Sequence, residues 1–109
     1  MIEDSKFRIE KLSTDEIELL VLLMEECGEV IQAATKCMRD IEYAPHQAPD
    51  CSSNRQWLKV EITDLQVIIN KLTERNGLCH MRVEESSMLR NEKLNKLRKW
   101  TNVFKSKEQ

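Results

Sequence analysis

Two short runs of this sequence hold the side chains best suited to chemistry. EECGE covers Glu25 to Glu29, and EITD covers Glu61 to Asp64. Each run carries acids three residues apart, Glu26 with Glu29 and Glu61 with Asp64, and on a helix residues at that spacing are neighbours on one face. Two such helices laid side by side would converge four carboxylates into a compact pocket. Oxygen donors of that kind suit a hard divalent cation, and a cation would offset the several kcal/mol (order of magnitude) that each unpaired carboxylate costs when removed from water. Two other readings of the acids stand beside this one. They could form a solvated face, or they could be buried in ion pairs with basic residues further along the chain. A glycosidase would need two opposed carboxyls with different protonation, which four converging acids do not supply.

The surrounding residues decide which face the acids occupy. Each helical residue turns the chain by about 100°. Measured from Glu61, the side chains of Trp57, Leu58, Leu65, Ile68 and Leu72 fall within about 60° of it, and Asp64, at about 60°, is on the same apolar face, the side that must face the core. Lys59, Thr63, Gln66 and Asn70 gather opposite. Around the first run, Ile17, Leu20, Val21, Met24, Ile31 and Met38 form one apolar stripe. Leu19, Leu22, Val30 and Ala33 form a second apolar surface that includes Glu26 and Glu29. Glu25 sits in the polar strip between them with Glu18, Gln32 and Lys36. The acids therefore share stripes with Leu, Ile and Trp, which favours the cation over the solvated face. A helix apolar on nearly all sides also predicts burial between neighbours or in a subunit interface.

The elements that must position these residues are helices. The chain has 109 residues with two Gly, two Pro and 5% aromatics. That is enough for a single all-α domain over residues 1–109, and too little for two cores. STDE (Ser13 to Glu16) is a capping box and predicts a helix from there to about Arg39. The stretch from Asp40 to Ser53, with Pro45 and Pro49, reads as a loop. Ser53 with Gln56 opens a second helix ending at RNG, where Gly77 suits a left-handed position. A third helix is expected from about Val83 to Phe104, a short one over Glu3 to Leu12, and a frayed tail over 105–109. The fold class predicted is an antiparallel helical bundle, its core completed by oligomerisation as a homodimer or dimer of dimers.

Composition narrows the function. A net charge of −2 with 33% charged residues of both signs argues against a dedicated nucleic-acid binder. No apolar run approaches the ~20 residues of a membrane span. Cys27, Cys37, Cys51 and Cys79 show no C-x-x-C spacing, and no signal peptide is apparent, so reduced thiols and a cytoplasmic location are expected. A zinc site from His46, Cys51, Cys79 and His80 matches no known ligand spacing. There is no P-loop signature, which excludes a conventional ATPase.

The paired motifs, E-E-x-x-E followed by E-x-x-D, resemble those of the MazG-like, all-α nucleoside triphosphate pyrophosphohydrolases. That superfamily includes dimeric dUTPases, dCTP pyrophosphatases and phosphoribosyl-ATP pyrophosphohydrolases. The likeness covers roughly residues 14–100. It implies Mg²⁺, with Mn²⁺ as a substitute, held by Glu26, Glu29, Glu61 and Asp64. Glu25 would complete the catalytic acids by orienting the attacking water or holding an additional Mg²⁺. NEKLNK (Asn91 to Lys96) looks like the family's N-x-K-F-x-R segment, with Leu94 and Lys96 in place of Phe and Arg. By that resemblance Asn91, Lys93 and Lys96 would bind the substrate's phosphates. On spacing alone, Lys93, Lys96, Arg98 and Lys99 equally describe a solvated basic face. The segment between Glu29 and Glu61 is longer than in MazG itself. Tyr43, His46 or Trp57 could stack on a base there, although Trp57 fits the core stripe better.

The expected activity is Mg²⁺-dependent cleavage of a (deoxy)nucleoside triphosphate to the monophosphate and pyrophosphate, in nucleotide-pool housecleaning. The competing readings are a phosphoribosyl-ATP pyrophosphohydrolase and a non-catalytic helical dimerisation or adaptor module.

Overall fold

The capping box at Ser13 forms as its spacing requires. Ser13 Oγ accepts the Glu16 N–H at 3.0 Å, and the Ser13 N–H donates to Glu16 Oε1 at 2.9 Å. From there a single helix, α1, runs Thr14–Arg39. Asp15 and Glu16 in its first turn and Lys36 and Arg39 in its last complement the helix dipole. This computed structural model describes residues 11–39 and 53–105. Residues 3–10 of the expected first short helix lie outside them, and Lys11 and Leu12 form a turn and a bend instead of helix. The expected loop lies almost wholly outside them too.

A second helix, α2, runs Asn54–Thr73. Its cap is Ser53, whose Oγ accepts the Gln56 N–H at 3.3 Å. The exit differs from the expectation at RNG. The left-handed residue is Asn76, with φ 70°, and no described glycine has positive φ. Gly77 is required for space. A Cβ there would collide with the Leu72 carbonyl oxygen and come within 2.9 Å of the Glu74 oxygen. The tight return is held by Gly77 N–H to Glu74 O at 2.7 Å and Cys79 N–H to Leu72 O at 2.8 Å. Asn tolerates the left-handed well better than most side chains, which allows this division of labour.

The third helix, α3, runs Val83–Trp100 and stops four residues short of the expected Phe104. Thr101 ends it. Its backbone is extended, its N–H and its Oγ1 both donate to Leu97 O at 2.9 and 2.8 Å, and its Oγ1 then accepts the Phe104 N–H at 3.2 Å. The hydroxyl thus turns the chain away from the helix axis.

All three described elements are helices, and none is long and apolar enough to cross a membrane. Two of them pack together. Asn54 Nδ2 donates to Lys36 O at 3.2 Å, joining the start of α2 to the end of α1, while Glu61 meets Glu26 and Glu29 further back along α1. Contacts that advance along one helix as they retreat along the other make the pair antiparallel. Its inner surface carries the side chains that the face arithmetic selected. Ala33 and Leu72 are buried, and Leu19, Leu22, Val30, Trp57, Leu58, Leu65 and Ile68 are half-buried. Asn54, fully enclosed at the junction, was not singled out by any sequence pattern.

The third helix packs substantially on neither α1 nor α2 and buries none of its residues. The other α1 stripe is also uncovered, with Ile17, Val21, Met24, Ile31 and Met38 all exposed.

Candidate functional site

Glu26, Glu29 and Glu61 come together across the α1–α2 seam. One carboxylate oxygen from each lies within 4.8 Å of the other two. Helical spacing explains the pairing on α1, because Glu26 and Glu29 are one turn apart. The antiparallel register then sets Glu61 of α2 against both. Glu26 and Glu61 are half-buried, while Glu29 is exposed. The group is therefore only partly shielded from solvent, where the apolar stripes predicted burial.

Two of the oxygens are in an awkward position. Glu26 Oε1 and Glu61 Oε1 are buried and accept no hydrogen bond. The other Glu61 oxygen, Oε2, accepts the Trp57 indole Nε1–H at 3.0 Å. No described Lys or Arg forms an ion pair with any of these acids. The ion pair among described residues is Lys71 with Glu74 at 3.0 Å, on the surface. The buried ion-pair reading therefore finds no partner among the described basic groups.

The electrostatics follow from this crowding. Glu26 is raised above its ordinary carboxylate value, first by burial and then by the charges of Glu29, Asp64 and Glu25. Glu61 is raised too, first by burial and next by its hydrogen-bonding contact with the Glu29 carboxyl. The Trp57 donor opposes that rise, and the charges of Glu29 and Asp64 add to it. Two ionised carboxylates have no proton to share, so the Glu29 contact favours a protonated member.

Asp64 stands apart from the three. It is exposed and lies outside the close cluster, although its charge acts on both Glu26 and Glu61. With Gln56, Lys59, Val60 and Thr63 it lines a shallow hollow of about 220 Å³ on the outer side of α2. Glu25 is exposed beside the cluster, as its polar strip predicts. Asn91, Lys93 and Lys96 are exposed on α3, the helix without substantial packing on the α1–α2 pair, and among the described residues no ion pair joins Lys93 or Lys96 to the acids. Asn91 instead borders a cleft of about 530 Å³ with Met81, Val83, Ser86, Ser87 and Arg90.

Trp57 faces two ways. Its N–H reaches Glu61, and its ring borders a cleft of about 410 Å³ with Ile31, Gln32, Thr35, Lys36 and Arg39. The spacing permits this bond, since Trp57 precedes Glu61 by one helical turn, whereas the sequence pattern predicts base stacking for Trp57 or, as the better fit, core packing. Tyr43, His46 and Cys51 lie outside the described residues, and Cys79 and His80 join no cluster among those described. His80 Nδ1 instead meets the Thr73 carbonyl at 3.3 Å.

The donor set fits a hard divalent cation. All three groups present oxygen, and two of the oxygens are buried without a partner. On octahedral Mg²⁺ only one pair of three ligands can stand opposite, at about 4 Å, and the other pairs lie about 3 Å apart, so the three acids must draw closer to share one ion. No protein-family profile, no curated protein and no solved structure matches this chain.

Proposed function

We propose that this protein is a Mg²⁺-dependent nucleoside triphosphate pyrophosphohydrolase. The observation that carries the reading is the convergence of Glu26, Glu29 and Glu61 with two buried oxygens that accept no hydrogen bond. Carboxylates arranged this way repel one another and are poorly solvated, and a bound divalent cation removes both penalties.

Glu26, Glu29 and Glu61 would hold the ion, with Asp64 joining them by a change of side-chain rotamer. When bound, Mg²⁺ supplies charge neutralisation for a triphosphate and acidifies a coordinated water. The protein's own groups do the rest. Glu25, exposed beside the cluster, would orient the attacking water or hold an additional Mg²⁺. The phosphate donors are Asn91, Lys93 and Lys96, which place amide and ammonium N–H groups along α3. Water attacks the α-phosphorus, the α–β anhydride bond breaks, and the products are a nucleoside monophosphate and pyrophosphate.

The same reading calls for a second copy of the chain. Because α3 has no substantial packing on α1 or α2 among the described residues, its donors would reach an acid cluster when the bundle is completed by a homodimer or dimer of dimers. The exposed α1 stripe is the surface such a copy would cover, which places the site near a subunit boundary. A non-catalytic association module would use the same apolar surface but would have no need for the carboxylates at the seam. A phosphoribosyl-ATP pyrophosphohydrolase would share the metal site and differ in the nucleotide taken.

One experiment separates these readings. The protein is fractionated by size and each fraction is assayed with Mg²⁺ against a panel of (deoxy)nucleoside triphosphates and phosphoribosyl-ATP. Pyrophosphate release should follow a dimeric or larger species, and Glu61→Gln should abolish it while helicity is retained. No release on any substrate would overturn the enzymatic reading, and an active monomer would overturn the shared site.

A further inference from the structure

Trp57 carries a role that neither the acidic motifs nor the apolar stripe assigns to it. An indole N–H has one hydrogen to donate and nothing with which to accept. Trp57 spends it on Glu61 Oε2, at 3.0 Å, from one turn earlier on the same face of α2. The bond leaves the two oxygens of one carboxylate in different states. Oε2 is held by the indole, while Oε1 is buried, accepts no hydrogen bond, and belongs to the acid that closes on Glu26 and Glu29. Without the indole, the Glu61 carboxyl could rotate about its terminal bond and swing either oxygen away from the cluster, since such torsions have broad wells.

We infer that Trp57 is a positioning residue for the cation site: its Nε1–H pins one oxygen of Glu61 so that the other is presented, singly, to the metal. This rests on the metal-binding reading above and adds to it a specific outer partner. Groups that hydrogen-bond to a metal's ligands fix ligand orientation, and their removal typically weakens metal affinity by about 10–100-fold. The indole ring also has a structural duty, because it is half-buried and walls the cleft beside Lys36 and Arg39. A useful variant must keep the ring and delete the donor.

Trp57→Phe deletes the donor and keeps a smaller aromatic ring in its place, and Trp100→Phe is the control, since Trp100 is 83% exposed and far along the chain on α3. The measurement is binding of Mn²⁺ alone, followed by the loss of the free-ion paramagnetic resonance signal, together with the metal-free melting temperature of each protein. The expected result is that Trp57→Phe weakens Mn²⁺ binding about tenfold or more, and Trp100→Phe leaves it unchanged. Equal affinity in wild type and Trp57→Phe would overturn the positioning role while leaving the metal site intact. A fall in metal-free melting temperature with Mn²⁺ affinity preserved would also overturn it, by showing a packing role only. Failure of the wild type to bind Mn²⁺ would instead remove the metal reading and this inference with it. Should Trp57→Phe not fold, incorporation of the benzothiophene analogue of tryptophan at position 57 makes the same comparison with ring size kept.

Discussion

Burial and three neighbouring acids act on Glu26 in the same direction, and none of them is offset by a described cation. A carboxyl raised in the folded state has a definite effect on stability. Below the ordinary carboxylate value, near 4.5, the group is neutral in both folded and unfolded chains and imposes nothing. As pH rises from there, the unfolded chain releases its proton first, and the fold loses stability until the raised value is passed. Glu61 contributes in the same sense. In the absence of metal, Glu26→Gln should therefore be more stable than the wild type at neutral pH, with the gap closing as pH falls toward 4.5. Denaturant melts in chelator across that range check this, and a gap that widened on acidification would reverse the assignment. At this scale the sequence was informative where spacing alone decided neighbours, as for Glu26 with Glu29. It was less informative for Asp64. The face arithmetic put that residue on the core-facing apolar side, about 60° from Glu61, whereas it is exposed and lines a hollow with Lys59 and Thr63.

The helices themselves were legible in their end signals. Ser13 and Ser53 cap where their partners three residues on require it, and Thr14–Arg39 and Asn54–Thr73 follow. The exits were harder, because a helix can stop through several backbone devices that share the same residues. RNG marked the turn after α2 but not which residue would take the left-handed conformation. The structure puts that conformation on Asn76 and leaves Gly77 with a steric role. The two assignments predict different mutants. Gly77→Ala should destabilise the protein by about 1–3 kcal/mol through overlap with the α2 carbonyls, whereas Asn76→Gly should be close to neutral, within about 1 kcal/mol. Chemical denaturation of both variants checks this. A harmless Gly77→Ala with a damaging Asn76→Gly would contradict the described turn. The early stop of α3 has the same origin, since nothing in the pattern of Leu94, Leu97 and Phe104 announced that the Thr101 hydroxyl would cap the Leu97 carbonyl.

For the molecule as a whole, the residues that pack and the residues that do not are equally telling. Ala33 and Leu72 are the buried apolar side chains among the described residues, a small core for a chain of this length. The α1 stripe of Ile17, Val21, Met24, Ile31 and Met38 remains exposed, as do Met88, Leu89 and Trp100 of α3. The α1 stripes could be read from periodicity. The arrangement of α3 could not, because its apolar and basic residues specify a partner surface without saying which chain provides it. The proposed cation site is the part least dependent on that assembly, as its three closest acids all come from α1 and α2 of one chain. Melting the metal-free protein at neutral pH over a Mg²⁺ titration tests it most directly, with Glu26→Gln and Glu61→Gln alongside. Binding to the folded state must raise the melting temperature as the ion concentration passes its dissociation constant, so the wild type should climb through the millimolar range while both variants stay flat. A wild type indifferent to Mg²⁺, or variants that climb as far as it does, would contradict the proposal that these carboxylates hold a divalent cation.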